Sequence, residues 1–79
     1  MIARQWLEES TVSILGCDPA KVTDSAELER DLGADSLDFL EIFMTAEDHF
    51  KIEIADDELT SVKSFGQAVA LIESKVAPE

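Results

Sequence analysis

The run Gly33-Ala34-Asp35-Ser36-Leu37-Asp38 places a serine hydroxyl one residue inside the start of a predicted helix. A hydroxyl there is accessible. A phosphate attached to it would lie beside free backbone N–H groups and the positive end of the helix dipole. Taken alone, the same run reads equally well as an ordinary helix-start serine. Nucleophilic catalysis is poorly supported, because the single histidine, His49, lies about four turns further along the same helix and no Ser–His pair can form. Cys17 follows Gly16 and precedes Asp18-Pro19, with no neighbouring cation to activate its thiol, and reads as structural. A lone histidine supplies no ligand set for a transition metal. The eighteen Asp and Glu residues invite a calcium reading, but no Asp-x-Asp-x-Asp-Gly loop with a trailing Glu occurs. Loose Mg²⁺ or Ca²⁺ binding at Asp35/Asp38 or Glu53/Asp56/Asp57 is compatible with the sequence, and no dedicated metal site is expected. No convergent catalytic set emerges, so the chain is not expected to be an enzyme.

The elements that must position Ser36 are helices. Apolar residues recur at helical spacing, and only Lys51 to Ala55 hints at alternation. A first helix is predicted from about Ile2 to Leu15, with Ala3, Leu7, Thr11 and Ile14 as its inner stripe, Ile2 and Trp6 widening it, and Gly16 ending it. A long loop from Cys17 to Gly33 follows, anchored by Pro19, Val22, Leu28 and Leu32, with a possible helical turn over Ala26 to Leu32. The second helix opens with Asp35 as N-cap and Asp38 three residues on, and runs to about Phe50. A short third helix fits Asp56 to Leu59. The fourth begins with Ser64 and Gln67 as a capping box, and Phe65, Ala68, Val69, Ile72 and Val76 mark its buried stripe. The expected architecture is all-α, a small four-helix bundle of three main helices and one short one.

The second helix divides into two faces. Phe39, Ile42, Phe43, Ala46 and Phe50 gather on the side that must meet the core. Leu37, Asp38, Glu41, Met44, Thr45 and Asp48 gather opposite. Scattered surface apolars are ordinary, yet Leu37 and Met44 lie seven residues apart within an acidic face. That combination suits a docking surface, where Leu and Met supply burial and carboxylates steer a basic partner.

With this surrounding pattern, Asp31-Leu32-Gly33-Ala34-Asp35-Ser36-Leu37-Asp38 closely resembles the signature of acyl carrier proteins. Glu41, Met44, Glu47-Asp48, Phe50 and Ile52-Glu53-Ile54-Ala55-Asp56-Asp57-Glu58 resemble the rest of that family's second and third helices. The likeness runs from about Leu7 to Ile72. It implies a four-helix fold whose serine, here Ser36, carries a covalent 4′-phosphopantetheine installed from coenzyme A by a phosphopantetheinyl transferase with Mg²⁺. It also implies that the arm's thiol holds acyl groups as thioesters and that the carrier catalyses nothing. By the same resemblance, Asp35, Leu37, Asp38, Glu41, Met44 and Asp48 would recognise the basic docking surfaces of acyl-transferring and chain-elongating enzymes. The chain departs from the family in three places. Ala55 replaces the proline usual before the third helix, leaving its start less sharply set. Phe39 and Phe43 stand where many fatty-acid carriers have smaller residues; pointing inward, they would reshape the pocket that shelters an acyl chain.

Composition agrees with a carrier and excludes other classes. The 79 residues suit one domain, residues 1–79, and a formal charge of −12 disfavours binding to nucleic-acid phosphates or anionic lipid surfaces. No apolar run approaches the roughly 18 residues of a membrane span. One cysteine gives no internal disulfide, which favours the cytoplasm. The expected molecule is a monomeric, freestanding carrier, since the chain opens at Met1 and ends soon after the fourth helix. Fatty-acid biosynthesis is the leading pathway, with a dedicated polyketide or special-lipid carrier as the alternative. A peptidyl carrier would read Gly-Gly-(His/Asp)-Ser with a less acidic second helix. The rival from another class is an unmodified acidic module that docks partners through its second helix and has no need of the Ser36 hydroxyl.

Overall fold

The computed structural model describes residues 2–76, except for the side chain of Ile2. Among these residues four helices follow one another: α1 (Ile2–Leu15), α2 (Ser36–Phe50), α3 (Asp56–Thr60) and α4 (Phe65–Lys75), with one 3₁₀ turn at Pro19–Lys21 in the long loop. The first helix packs on both α2 and α4. Their shared interior holds Ala3, Leu7 and Thr11 from α1, Ile42, Phe43 and Ala46 from α2, and Phe65, Ala68, Val69 and Ile72 from α4. Spacings of three and four residues bring each set onto one side of its helix, as the sequence pattern requires. Ile14, Trp6, Phe39, Phe50 and Val76 sit at the margin, packed against this core and only partly covered. The predicted stripes are therefore right in direction and slightly too wide in depth.

Helix ends follow the local chemistry. Gly16 adopts a left-handed φ of 66° and donates to the Val12 carbonyl at 2.8 Å, closing α1. Ser64 accepts from the Gln67 N–H at 3.2 Å while the Gln67 side chain accepts from the Ser64 N–H at 3.0 Å, so both halves of the predicted box form. Lys51 closes α2 in the left-handed region at φ 58°, its N–H donating to Glu47. The alternating stretch after it forms no strand. The helical turn expected over Ala26 to Leu32 is a turn without becoming a helix, bonded from Asp31 N–H to Glu27 C=O at 2.8 Å.

The long loop does not hang free. Leu28 N–H donates to Lys63 C=O at 2.9 Å, Phe65 N–H to Ala26 C=O at 2.8 Å, and Gly66 N–H to Asp24 C=O at 3.0 Å. Gly66 is needed for this approach, because a Cβ there would lie 2.9 Å from the Asp24 carbonyl oxygen. Val22, Ala26, Leu28 and Leu32 are buried beneath the tie. The loop therefore delivers the chain to Asp35 from a fixed floor.

Candidate functional site

Asp35 and Asp38 cap the helix that presents Ser36. The Asp35 carboxylate accepts the Asp38 N–H at 2.8 Å, and the Asp38 carboxylate reaches back to the Asp35 N–H at a looser 3.4 Å. This exchange satisfies two of the four orphan donors of the first turn. The N–H groups of Ser36 and Leu37 remain aimed outward at the positive helix end. Ser36 is exposed in the first helical position, so its hydroxyl is open to covalent modification. The two capping carboxylates oppose a second anion nearby, but each is turned onto a backbone N–H.

A groove opens beside this hydroxyl. Its volume is about 470 Å³, and α2 and α3 form its sides: Ser36, Phe39 and Leu40 from one, Asp56, Leu59 and Thr60 from the other, with Val62 and Glu29 completing it. The lining is mainly apolar apart from its rim. On the other side of Leu40 a shallow hollow lies along α2, bordered by Leu37, Glu41, Met44, Thr45 and Asp48. Leu37 is 75% exposed and Met44 64%, which is uncommon for such large apolar side chains. The structure thus brings Leu37, Glu41, Met44 and Asp48 together on one face. Asp35 and Asp38 lie at its upper end, with Asp38 partly drawn in by its capping role.

Leu40 is the residue the wheel left unassigned. It is 43% exposed and borders both the groove and the hollow along α2. Its position between the two faces of α2 was the available signal. Glu29, Leu59, Thr60 and Val62 carry no local signal, since only the folded chain brings the long loop and the α3 region beside Ser36.

The third helix is held by side chains from its neighbours. Ala55 at its N-cap offers no capping group, and Glu58 supplies the missing contact by accepting the Ala55 N–H at 3.0 Å. The same oxygen accepts from Lys75 Nζ on α4 at 2.7 Å. The Lys75 hydrogen bond, then the Ala55 N–H, hold the Glu58 carboxyl below the usual glutamate range, against the desolvation that raises it. Glu47 of α2 accepts the Ile54 N–H at 2.9 Å. Far from Ser36, His49 is exposed and stacks on Trp6 with ring centroids 4.7 Å apart. No three His, Cys, Asp or Glu side chains among the described residues gather to hold a metal ion. No described helix is long and apolar enough to cross a membrane.

The residues at the α2 start fit a covalently held phosphopantetheine. The exposed Ser36 hydroxyl would take its phosphate, the first-turn N–H groups would lie beside that phosphate, and an apolar groove opens alongside. A family model described as the phosphopantetheine attachment site matches residues 5–72. Among solved structures, the fold is similar to the "apo doublet acyl carrier protein from prodigiosin biosynthesis", with a TM-score of 0.78 at 18% identity. That match covers 98% of this chain and 37% of the other, so this chain spans little more than a third of that one's length. The expected all-α, acyl-carrier-like fold is the one observed. The chain belongs to the phosphopantetheine-attachment family, and is a carrier that holds 4′-phosphopantetheine covalently.

Proposed function

We propose that Ser36 is the attachment point, and that the protein shuttles acyl intermediates as thioesters on its arm, in fatty-acid biosynthesis. The observation that carries this reading is the exposed Ser36 hydroxyl in the first turn of α2, beside an apolar groove. In the loading step the Ser36 oxygen displaces 3′,5′-ADP from coenzyme A, forming one P–O bond as another breaks, and the hydroxyl proton leaves to a base on the transferase. Leu37, Glu41, Met44 and Asp48, with Asp35 and Asp38 above them, form the surface for the transferase and for acyl-transferring and elongating enzymes. Basic surfaces suit it, since Asp35 to Glu58 holds nine carboxylates against Lys51 alone. The carrier is itself no catalyst, and works in the cytoplasm as a monomer of one domain.

Intact-mass spectrometry tests the assignment. A phosphopantetheinyl transferase with coenzyme A and Mg²⁺ is expected to add one arm to the wild type and none to Ser36→Ala, whose helical circular dichroism stays nearly unchanged. An arm gained by Ser36→Ala would place the attachment elsewhere. A dedicated polyketide or special-lipid carrier is the second reading. It is favoured by Phe39, which narrows the groove where a long saturated chain would need room.

A further inference from the structure

Phe39 is the largest apolar side chain between the groove beside Ser36 and a neighbouring hollow. This second hollow, of about 410 Å³, is bordered by Glu27 and Arg30 of the long loop and by Lys63. Glu29, Phe39 and Val62 border both spaces; Glu29 is exposed on the long loop. Val62 is buried and its N–H donates to the Leu59 carbonyl at 3.1 Å, so it belongs to the fixed wall. Phe39 is half-buried and rests on Phe43, with ring centroids 4.9 Å apart and planes inclined at 50°. Phe43 is itself fully buried among the helices and backs Phe39 on its core side. A chain lying in the groove beside Ser36 therefore meets the Phe39 ring before it reaches the second hollow.

We propose that Phe39 sets the length of acyl chain that this carrier shelters: short saturated groups fit beside Ser36, and the distal part of longer ones stays in water. The proposal rests on Ser36 as the attachment point. Each methylene removed from water stabilises the loaded, folded protein until the groove is full, and methylenes beyond the wall add nothing. Melting temperature plotted against chain length must then level off, and the point of levelling reads the position of the wall. Replacing the Phe39 benzyl group by a methyl group opens the part of the wall that Phe39 forms and should move that point to longer chains.

The experiment loads wild type and Phe39→Ala with pantetheine alone, or with butyryl, octanoyl or dodecanoyl pantetheine, using a transferase that accepts acyl-coenzyme A. Each melting temperature is referred to the same protein's unacylated form, so any loss from the substitution itself cancels. In the wild type the gain is expected to level off by octanoyl. In Phe39→Ala it should keep rising to dodecanoyl, by several degrees over the wild-type plateau. Phe39→Leu, which keeps more of the packing on Phe43, should shift the plateau the same way by less, and serves if Phe39→Ala loses its helical circular dichroism. A wild-type gain that climbs steadily to dodecanoyl overturns the proposal, as does a plateau unmoved in the variants. If the wild type takes up no arm by intact mass, or Ser36→Ala takes one up, the Ser36 reading has failed instead and this inference falls with it.

Discussion

Thr11 sits fully buried on the inner face of α1, and among the described residues its hydroxyl finds no hydrogen-bond partner. A buried donor left unmade costs about 1–3 kcal/mol. Valine has the same branched shape and a similar helix propensity. Thr11→Val is therefore expected to raise the unfolding free energy by about 1 kcal/mol, read as a higher urea midpoint at unchanged slope. A lower midpoint would mean that the hydroxyl meets a partner after all. The placing of Thr11 was legible, because positions 3, 7 and 11 repeat at helical spacing; its isolation was not, since partners come from other helices. The same division runs through the site. Asp35 with Asp38 and Ser64 with Gln67 act across three residues and are readable as short motifs. The double role of Phe39 depends on Val62, far along the chain, and no local pattern announces it.

On α2, the exposed face separates charge from apolar contact, and the two should act on different rates. Glu41→Lys is expected to slow association with the phosphopantetheinyl transferase, most at low salt, because rim charges act mainly on encounter. Met44→Ala should instead speed dissociation by roughly fivefold, equivalent to about 1 kcal/mol. Glu9→Lys, exposed on α1, is the charge-matched control; a loss equal to that of Glu41→Lys would reduce the effect to net charge. On α3 the decisive partners lie outside the element. Five residues are too few for a stable helix in isolation, and with no capping side chain at Ala55 the segment leans on Glu58 and Lys75. Lys75→Met should speed amide exchange at Leu59 and Val62 several-fold while leaving Phe43 in α2 unchanged; equal rates would show that burial of Ile54 and Val62 suffices. Acid should do the same. The folded-state pKa of Glu58 is depressed, so its contribution is complete above the ordinary glutamate value of about 4.3 and is lost as pH falls through the lower folded value. The acidic start of α3 was readable from Asp56-Asp57-Glu58. Its pairing with Lys75 was not, because the α3–α4 link and nearly all of α4 separate the two residues.

The whole molecule measures 30 × 25 × 19 Å and bears a formal charge of −12. At about 0.01 M salt the Debye length is about 30 Å, so every carboxylate feels the others; near 1 M it is about 3 Å. Self-repulsion of this kind weakens a compact state whose net stability is already small. Melting temperature is therefore expected to rise by several degrees as NaCl increases across this range, and a flat titration would show the repulsion to be unimportant. The four-helix architecture at this scale was legible from periodicity and caps. The tie between the long loop and the α3–α4 link was not, because it is made by backbone groups of residues nearly forty positions apart.

That tie has a kinetic meaning. Contacts such as Leu28 with Lys63 and Phe65 with Ala26 close large loops, and the entropy of closure is lost before the contact rewards it. The first turns of α2 can form from their own caps, with Ser36 already in place, while the far wall of the groove waits for the two halves of the chain to meet. Ser36 and the groove beside it would then belong to different stages of folding. Small φ-values for mutations at Leu28 and Val62, beside larger ones at Ile42, would record that order, and uniform values would deny it.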